Sequence, residues 1–352
     1  MKGMALTIVE TFTVTGGVDT HADVHVAAAL NHIGGLLGVE SFSTTPAGYT
    51  RLLAWLRSFG AVGVVGVEGT GSYGAGLTRH LEAAGVRVVE VDRSNRQDRY
   101  RSGKSDPLDA ESAARAALSG KANGSPRGRD GTVEAIRALM VAKRSARGER
   151  TRSINQARSL VVTGPDDIRA RFEHRSTKAL PAELAALRPR TGDVVGYSTR
   201  VALRELGRRA EYLAEQIQYL DGLLLPLVKM RAPSLLEMYG TGPHVAAILI
   251  IAAGDHPDRL RSETAWAHLC GAAPIPAGSG KTTGRYRLNP GGDRQANHAL
   301  WRIVFTRLSY HLPTQAYVER RLKEGKTKPE IIRCLKRYVA REVYHHLVCA
   351  AD

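Results

Sequence analysis

Thr13-Val14-Thr15-Gly16-Gly17-Val18-Asp19 reads as a β-strand that closes on a glycine pair and a carboxylate. Working outward, residues 24–30 are predicted as a second strand after a turn at residues 20–23, and residues 38–42 as a third, so the three form an antiparallel meander. Pro46 then opens a helix running to about Ser58. Residues 62–67 are a buried apolar strand, residues 73–84 a helix and residues 86–91 a further strand.

Three hairpin-linked strands followed by β-α-β-α is the order of a ribonuclease H-like α/β fold. In that order Asp19 ends the first strand and Glu68 ends the fourth, both at one edge of the sheet. The next acids lie in Lys104-Ser105-Asp106-Pro107-Leu108-Asp109-Ala110. Pro107 suits the first helical position, which puts Asp106 at the N-cap, with Asp109 one turn later on the same face and an alanine-rich helix over residues 111–118. Taken alone, capping and the helix dipole account for these two acids, each effect contributing roughly 0.5 to 1 kcal/mol. Beside Asp19 and Glu68 the reading changes, because four carboxylates gathered at one sheet edge repel each other without a cation.

Composition narrows the partner. The 352 residues are 43% hydrophobic, enough for a real core and two or three domains. A formal charge of +16 points to a polyanion, and nucleic acid is favoured over a membrane surface. Cys270, Cys334 and Cys349 have neither zinc spacing nor an even count, which fits buried thiols in a reducing cytosol. The most apolar run, residues 245–253, is far short of the ~20 residues a bilayer requires, so a soluble, cytoplasmic, nucleoid-associated protein is expected.

Two phosphate-loop readings fail. Gly69-Thr70-Gly71-Ser72-Tyr73-Gly74 matches a dinucleotide loop over six residues only, follows the fourth strand and lacks the acid such a unit needs; it reads as a turn. Gly278-Ser279-Gly280-Lys281-Thr282 would need glycine at position 275, which is Ile275. Gly17-Val18-Asp19-Thr20 is also similar to the first phosphate loop of actin-like and sugar-kinase ATPases, but the companion loops are missing.

Beyond Lys121 the composition shifts to a Gly-, Pro- and Arg-rich linker, then to two long helices over residues 132–162 and 197–230 that are expected to pair antiparallel. Leu203, Leu206, Ala210, Leu213, Ile217 and Leu220 form a narrow seam of coiled-coil spacing, read as a packing surface between subunits. Arg144, Arg147, Arg150, Arg152 and Arg158 crowd the first long helix; a solvated face is the bland reading, and contact with a nucleic-acid backbone is favoured by the charge of the whole chain. Residues 235–243 and 245–253 read as a helix, a tight glycine hairpin and an apolar helix, either packing or a helix-hairpin-helix element offering N–H groups to phosphate. Residues 274–292 form a glycine-rich loop holding Ser279, Lys281, Arg285, Tyr286 and Arg287, followed by helices at residues 296–307 and 329–347. The expected domains are 13–125, 126–232 (the helical coiled-coil region) and 233–352 (mainly α).

Together these motifs resemble the DEDD-type insertion-sequence transposases of the IS110 family. The matching residues are Asp19 in Gly-Val-Asp-Thr-His, Glu68 in Gly-Val-Glu-Gly-Thr-Gly-Ser-Tyr, Asp106 and Asp109 in Lys-Ser-Asp-Pro-Leu-Asp-Ala, the hairpin at residues 239–243, and Ser279 in Gly-Ser-Gly-Lys ahead of Asn289-Pro290-Gly291-Gly292. Residues 164–193 carry none of it. The resemblance implies a RuvC-like catalytic domain whose Asp19, Glu68, Asp106 and Asp109 hold two Mg²⁺ ions. It implies Ser279 as a nucleophile brought by a partner subunit, with Lys281, Arg285 and Arg287 steadying the phosphate. The implied partners are donor and target DNA, a noncoding bridge RNA that guides recombination, and further copies of the chain in a dimer or tetramer. Two rival readings stand beside it: a Holliday-junction-resolvase-like endonuclease that cuts with water, and a nucleic-acid-binding protein without catalysis.

Overall fold

The computed structural model describes residues 13–91, 105–122, 124–126, 131–189, 192–254, 260, 262–278, 286–287, 289 and 291–348. The chain divides into two compact units, residues 1–129 and 130–352.

The first unit runs β1 (Thr13–Thr20), β2 (Val24–Leu30), β3 (Leu36–Ser43), α1 (Pro46–Ser58), β4 (Ala61–Glu68), α2 (Ala75–Ala83), β5 (Arg87–Val91) and α3 (Asp106–Leu118). Its sheet has the order β3-β2-β1-β4-β5. β1, β2 and β3 pair antiparallel, while β4 joins β1 and β5 joins β4 in parallel. This mixed sheet is consistent with the expected ribonuclease H-like order. α1 starts where Thr45 accepts a hydrogen bond from the Gly48 amide at 3.1 Å and Pro46 follows in the first turn. Its Leu52, Leu53 and Leu56 pack with Leu77 and Leu81 of α2 over Val18, Val65 and Val67, which closes one face of the sheet.

The opposite face is closed by α3, and here the side chains are small for a reason. Gly17 of β1 and Gly66 of β4 are register partners. A Cβ on Gly17 would lie 2.1 Å from the Ala114 amide nitrogen and 2.3 Å from the Ala110 carbonyl oxygen; one on Gly66 would lie 2.6 Å from the Ala113 carbonyl oxygen. The helix answers with Ala110, Ala113, Ala114 and Ala117, all buried, so helix backbone rests almost on sheet backbone. The helix starts one residue earlier than the sequence suggests. Ser105 is the N-cap, its carbonyl accepting from the Asp109 amide at 3.0 Å, and it makes no side-chain capping bond. Asp106 is therefore the first helical residue rather than the cap, since Pro107 is accommodated equally well one position further into the first turn.

The second unit is helical apart from one short strand pair among its described residues: α4 (Gly131–Thr163), α5 (Asp166–Phe172), α6 (Leu180–Ala185), α7 (Val194–Arg231), α8 (Ser234–Glu237), α9 (Pro243–Ala253), α10 (Glu263–Leu269), β6 (Ile275–Pro276), β7 (Tyr286–Arg287), α11 (Arg294–Tyr310), α12 (Leu312–Lys323) and α13 (Lys328–Val348). α4 and α7 run antiparallel. Thr132 meets Met230, Lys143 is ion-paired with Asp221, and Ala157 and Val161 share a cluster with Leu203. The apolar seam expected to face another subunit is thus spent largely inside the chain. Leu203 and Leu206 pack with α4, α5 and α6, and Leu203, Ala210 and Leu220 are buried. The unassigned segment 164–193 supplies α5 and α6, whose Ile168, Phe172, Leu180 and Leu184 complete that cluster.

Ile136 and Met140 of α4 and Leu224 and Val228 of α7 enter the same core as α9, α10, α11 and α13, so the long helices and the C-terminal helices fold as one body. Arg307 ties the glycine turn ahead of α9 to that body. Its Nε donates to the Tyr239 carbonyl at 2.9 Å while its other nitrogens hold Glu342 at 2.7 and 2.9 Å, which pulls the Glu342 carboxyl below its usual range. Among the described residues no helix is long and apolar enough to cross a membrane.

The close helix–sheet approach yields a stability test. Gly17→Ala should lower the stability of the first unit by about 1–3 kcal/mol, the usual cost of overpacking. Urea denaturation of the full chain followed by circular dichroism would show it, and an unshifted transition would mean that α3 retreats without cost.

Candidate functional site

β1 points alternate residues to opposite faces, so Gly17 and Asp19 project toward the side that α3 covers, and His21 follows just past the end of the strand. Asp19 is 6% exposed. His21 Nε2 lies 3.1 Å from Asp19 Oδ2 and 3.5 Å from Asp106 Oδ1, so the imidazole bridges a carboxylate on the strand and one on the helix. One ligand atom from each of the three residues falls within 4.8 Å of the others. Asp106 can do this because it is free of the capping role.

Burial pushes the Asp19 carboxyl above its ordinary value; His21 draws it back by charge and hydrogen bond, and the negative charges of Asp109 and Asp106 raise it further. The charges of both helix acids therefore reach Asp19. Glu68 is placed differently. Val18 is paired with Val67, which makes Glu68 the residue beside Asp19 at the end of the neighbouring strand, and Thr20 Oγ1 donates to the Glu68 carbonyl at 2.8 Å. Neither its carboxylate nor that of Asp109 is part of the three-residue group. His21 was not assigned a role from sequence; the available signal was its spacing, two residues after Asp19 at the end of the strand. Below the site His25 is fully buried with neither ring nitrogen hydrogen-bonded, and burial, reinforced by repulsion from His21, lowers its pKa to about 4. It is neutral at pH 7.

Two carboxylates and an imidazole at such separations suit a divalent cation, and the rise in Asp19 shows a buried negative charge that its surroundings under-compensate. The chemistry of the donor set therefore fits a metal-dependent site.

In the second unit the basic residues separate. Arg144 Nε donates to the Met140 carbonyl at 3.1 Å and its guanidinium also reaches Gln295. Arg147 donates to His244 Nε2 at 3.1 Å. Arg147 and His244 line a cavity of about 570 Å³ with Lys143, Arg302 and the glycines at 240 and 242. Burial, then the charges of Lys143, Arg147 and Arg302, push the His244 pKa down to about 4, so this histidine stays neutral amid positive charge. Nothing in the sequence singled out His244 beyond its place after Pro243 at the start of α9. Of the loop residues, Arg287 is on β7 and exposed; Ser279, Lys281 and Arg285 lie outside the described residues.

Two family models match the chain. The DEDD model of the IS110 kind, described as transposase, matches residues 16–163. A second, described as transposase of the IS116/IS110/IS902 family, matches residues 232–319. No curated protein matches.

The bridging imidazole makes its own prediction. With Mn²⁺ titrated into the full chain by calorimetry, His21→Ala should weaken binding by roughly tenfold or more, the scale at which even the partners of metal ligands act. Unchanged affinity would remove His21 from the site.

Proposed function

The chain belongs to the IS110 family of transposases and is a DNA strand-transfer enzyme, and from that premise we propose that its first unit is a RuvC-like, metal-dependent site for cutting DNA strands. The observation that supports this reading most is the convergence of Asp19, His21 and Asp106, with Asp109 close enough to act on Asp19, at the end of β1. In the proposal Asp19, Asp106, Asp109 and Glu68 are the oxygen donors for Mg²⁺, with two ions per site. Bound there, the cations would supply the positive charge that offsets the attacking and leaving oxygens of the phosphoryl transfer.

The chain's own groups then have defined tasks. Asp19 and Asp106, held on a strand and on a helix that cannot slide apart, keep the negative charge in a fixed place. His21 spans them and sets their separation. Ser279 is proposed as the nucleophile. Its oxygen bonds to the scissile phosphorus as its proton departs, and the displaced sugar oxygen leaves and takes up a proton, so one phosphodiester replaces another and rejoining is the same exchange reversed. Because Ser279 and the acids belong to different units, the proposal requires docking of units or of subunits, and further copies of the chain are its proposed partners. Arg144, Arg147, Lys281, Arg285 and Arg287 are proposed to meet nucleic-acid phosphates, with the glycine turn at residues 240–242 acting in the helix-hairpin-helix manner. A noncoding bridge RNA is the proposed guide.

Two outcomes test this. Asp19→Asn and Asp106→Asn should each abolish Mg²⁺-dependent strand cleavage while leaving DNA binding within about twofold, and full cleavage by either removes the metal-site assignment. Ser279→Ala should remove the slow protein–DNA band that the parent forms on denaturing electrophoresis with substrate and guide RNA, at little cost in stability, about 0.5 kcal/mol or less for such a surface change. If the parent yields only free cleaved ends, the resolvase-like reading replaces the serine mechanism.

A further inference from the structure

A second cavity in the C-terminal unit, of about 580 Å³, has an unusual lining. Tyr286 of β7 and Tyr338 of α13 contribute aromatic rings, 67% and 51% exposed. Arg287, Lys326 and Arg333 contribute positive charge, and among the described residues none of the three is ion-paired. The carboxylate on the wall, Glu330, uses one oxygen at the start of α13, where it accepts from the Thr327 amide at 2.8 Å and hydroxyl at 2.6 Å; these bonds, and then the charges of Lys326 and Arg333, hold it below its usual range and offset part of the positive charge. Tyr338 is braced edge-on by Tyr317, with centroids 5.7 Å apart and planes at 86°. A solvated surface has no need to gather two exposed rings and three cations around one concavity with a single carboxylate, Glu330, among them, and a core has no place for them.

We propose that this cavity takes a single unpaired nucleotide, its base stacked on a tyrosine ring and its phosphate among Arg287, Lys326 and Arg333. The volume suits one small ligand, and rings beside cations are the means by which proteins hold single strands. A base inside a duplex has both faces covered by its neighbours and offers no plane to a tyrosine, so the pocket selects an unstacked nucleotide. Its wall includes Tyr286 and Arg287, the two residues of β7. This inference deepens the DNA-transposase reading and rests on it, but it needs neither the serine mechanism nor the metal.

The test uses the full chain and fluorescence anisotropy with a 12-nucleotide single-stranded DNA, the same sequence as RNA, and the DNA duplex. Tyr338→Ala should weaken single-strand binding about tenfold, within the range for loss of one base–aromatic stack, and leave duplex binding within about twofold. Tyr338→Phe should retain the single-strand affinity. Arg333→Ala should reduce the log–log salt slope for the single strand by about 0.7, one phosphate contact. A preference for DNA or for RNA assigns the source of the nucleotide, and either supports the pocket. Equal single-strand binding by Tyr338→Ala and parent, or a parallel loss on single strand and duplex, overturns it. A parent that binds duplex and no single strand also sinks the pocket alone, whereas a parent that binds none of the three probes sinks the nucleic-acid reading itself.

Discussion

Backbone-to-backbone contact between α3 and the sheet is the constraint on which the first unit depends. Gly17 and Gly66 face each other across β1 and β4, and the absence of a Cβ on either admits the alanine face of the helix to within ordinary contact of the strands. A helix so seated has little freedom to slide or rotate, because each of its buried positions meets a fixed surface. Asp106 and Asp109 in its first turn are thereby delivered to the strand end where Asp19 emerges two residues after Gly17. The glycines and the acids are thus parts of one device: the glycines set the distance, and the distance makes the carboxylates interact.

Burying a carboxylate, with repulsion added, is the cost of that arrangement. Asp19 sits in a buried position with two like charges nearby, and the imidazole of His21 draws its carboxyl back down by charge and hydrogen bond. A site left under-compensated in this way is disposed to take a cation, which is the physical core of the proposed catalytic role. The second unit shows the opposite polarity. Positive charge gathers around His244 and again around Tyr286 and Tyr338, while Lys143 and Arg337 are neutralised by Asp221 and Glu263. Among the described residues of the helical unit, part of the +16 excess therefore lines two concavities.

Much of the architecture was legible because hydrophobic period and turn chemistry are local signals. The strand at 24–30 follows from the turn at residues 20–23 ahead of it and the helix over 46–58 from Pro46 at its start, and the structure has them at those bounds. The long helices were readable for the same reason. The destination of their seam was not, since a period states which residues face a partner and not whether the partner is another chain or, as here, α4 of the same one. Likewise the helix start near Pro107 was clear to within a residue, but the identity of the cap depends on which carbonyl accepts from Asp109, a bond invisible in residue types.

By itself, then, the sequence determined the alternation of elements in the first unit, the paired long helices of the second, the basic character of the chain, and the acids that belong at one sheet edge, because each is written in residue type and spacing over a few turns. Only the tertiary structure decided which side chains meet there: that His21 bridges Asp19 and Asp106, that the Asp109 and Glu68 carboxylates stand outside this group, and that Tyr286 and Tyr338, 52 positions apart in the chain, line one cavity. The reason is that contacts across an element boundary are set by helix seating and strand register, which depend on how distant backbones pack and not on any local pattern.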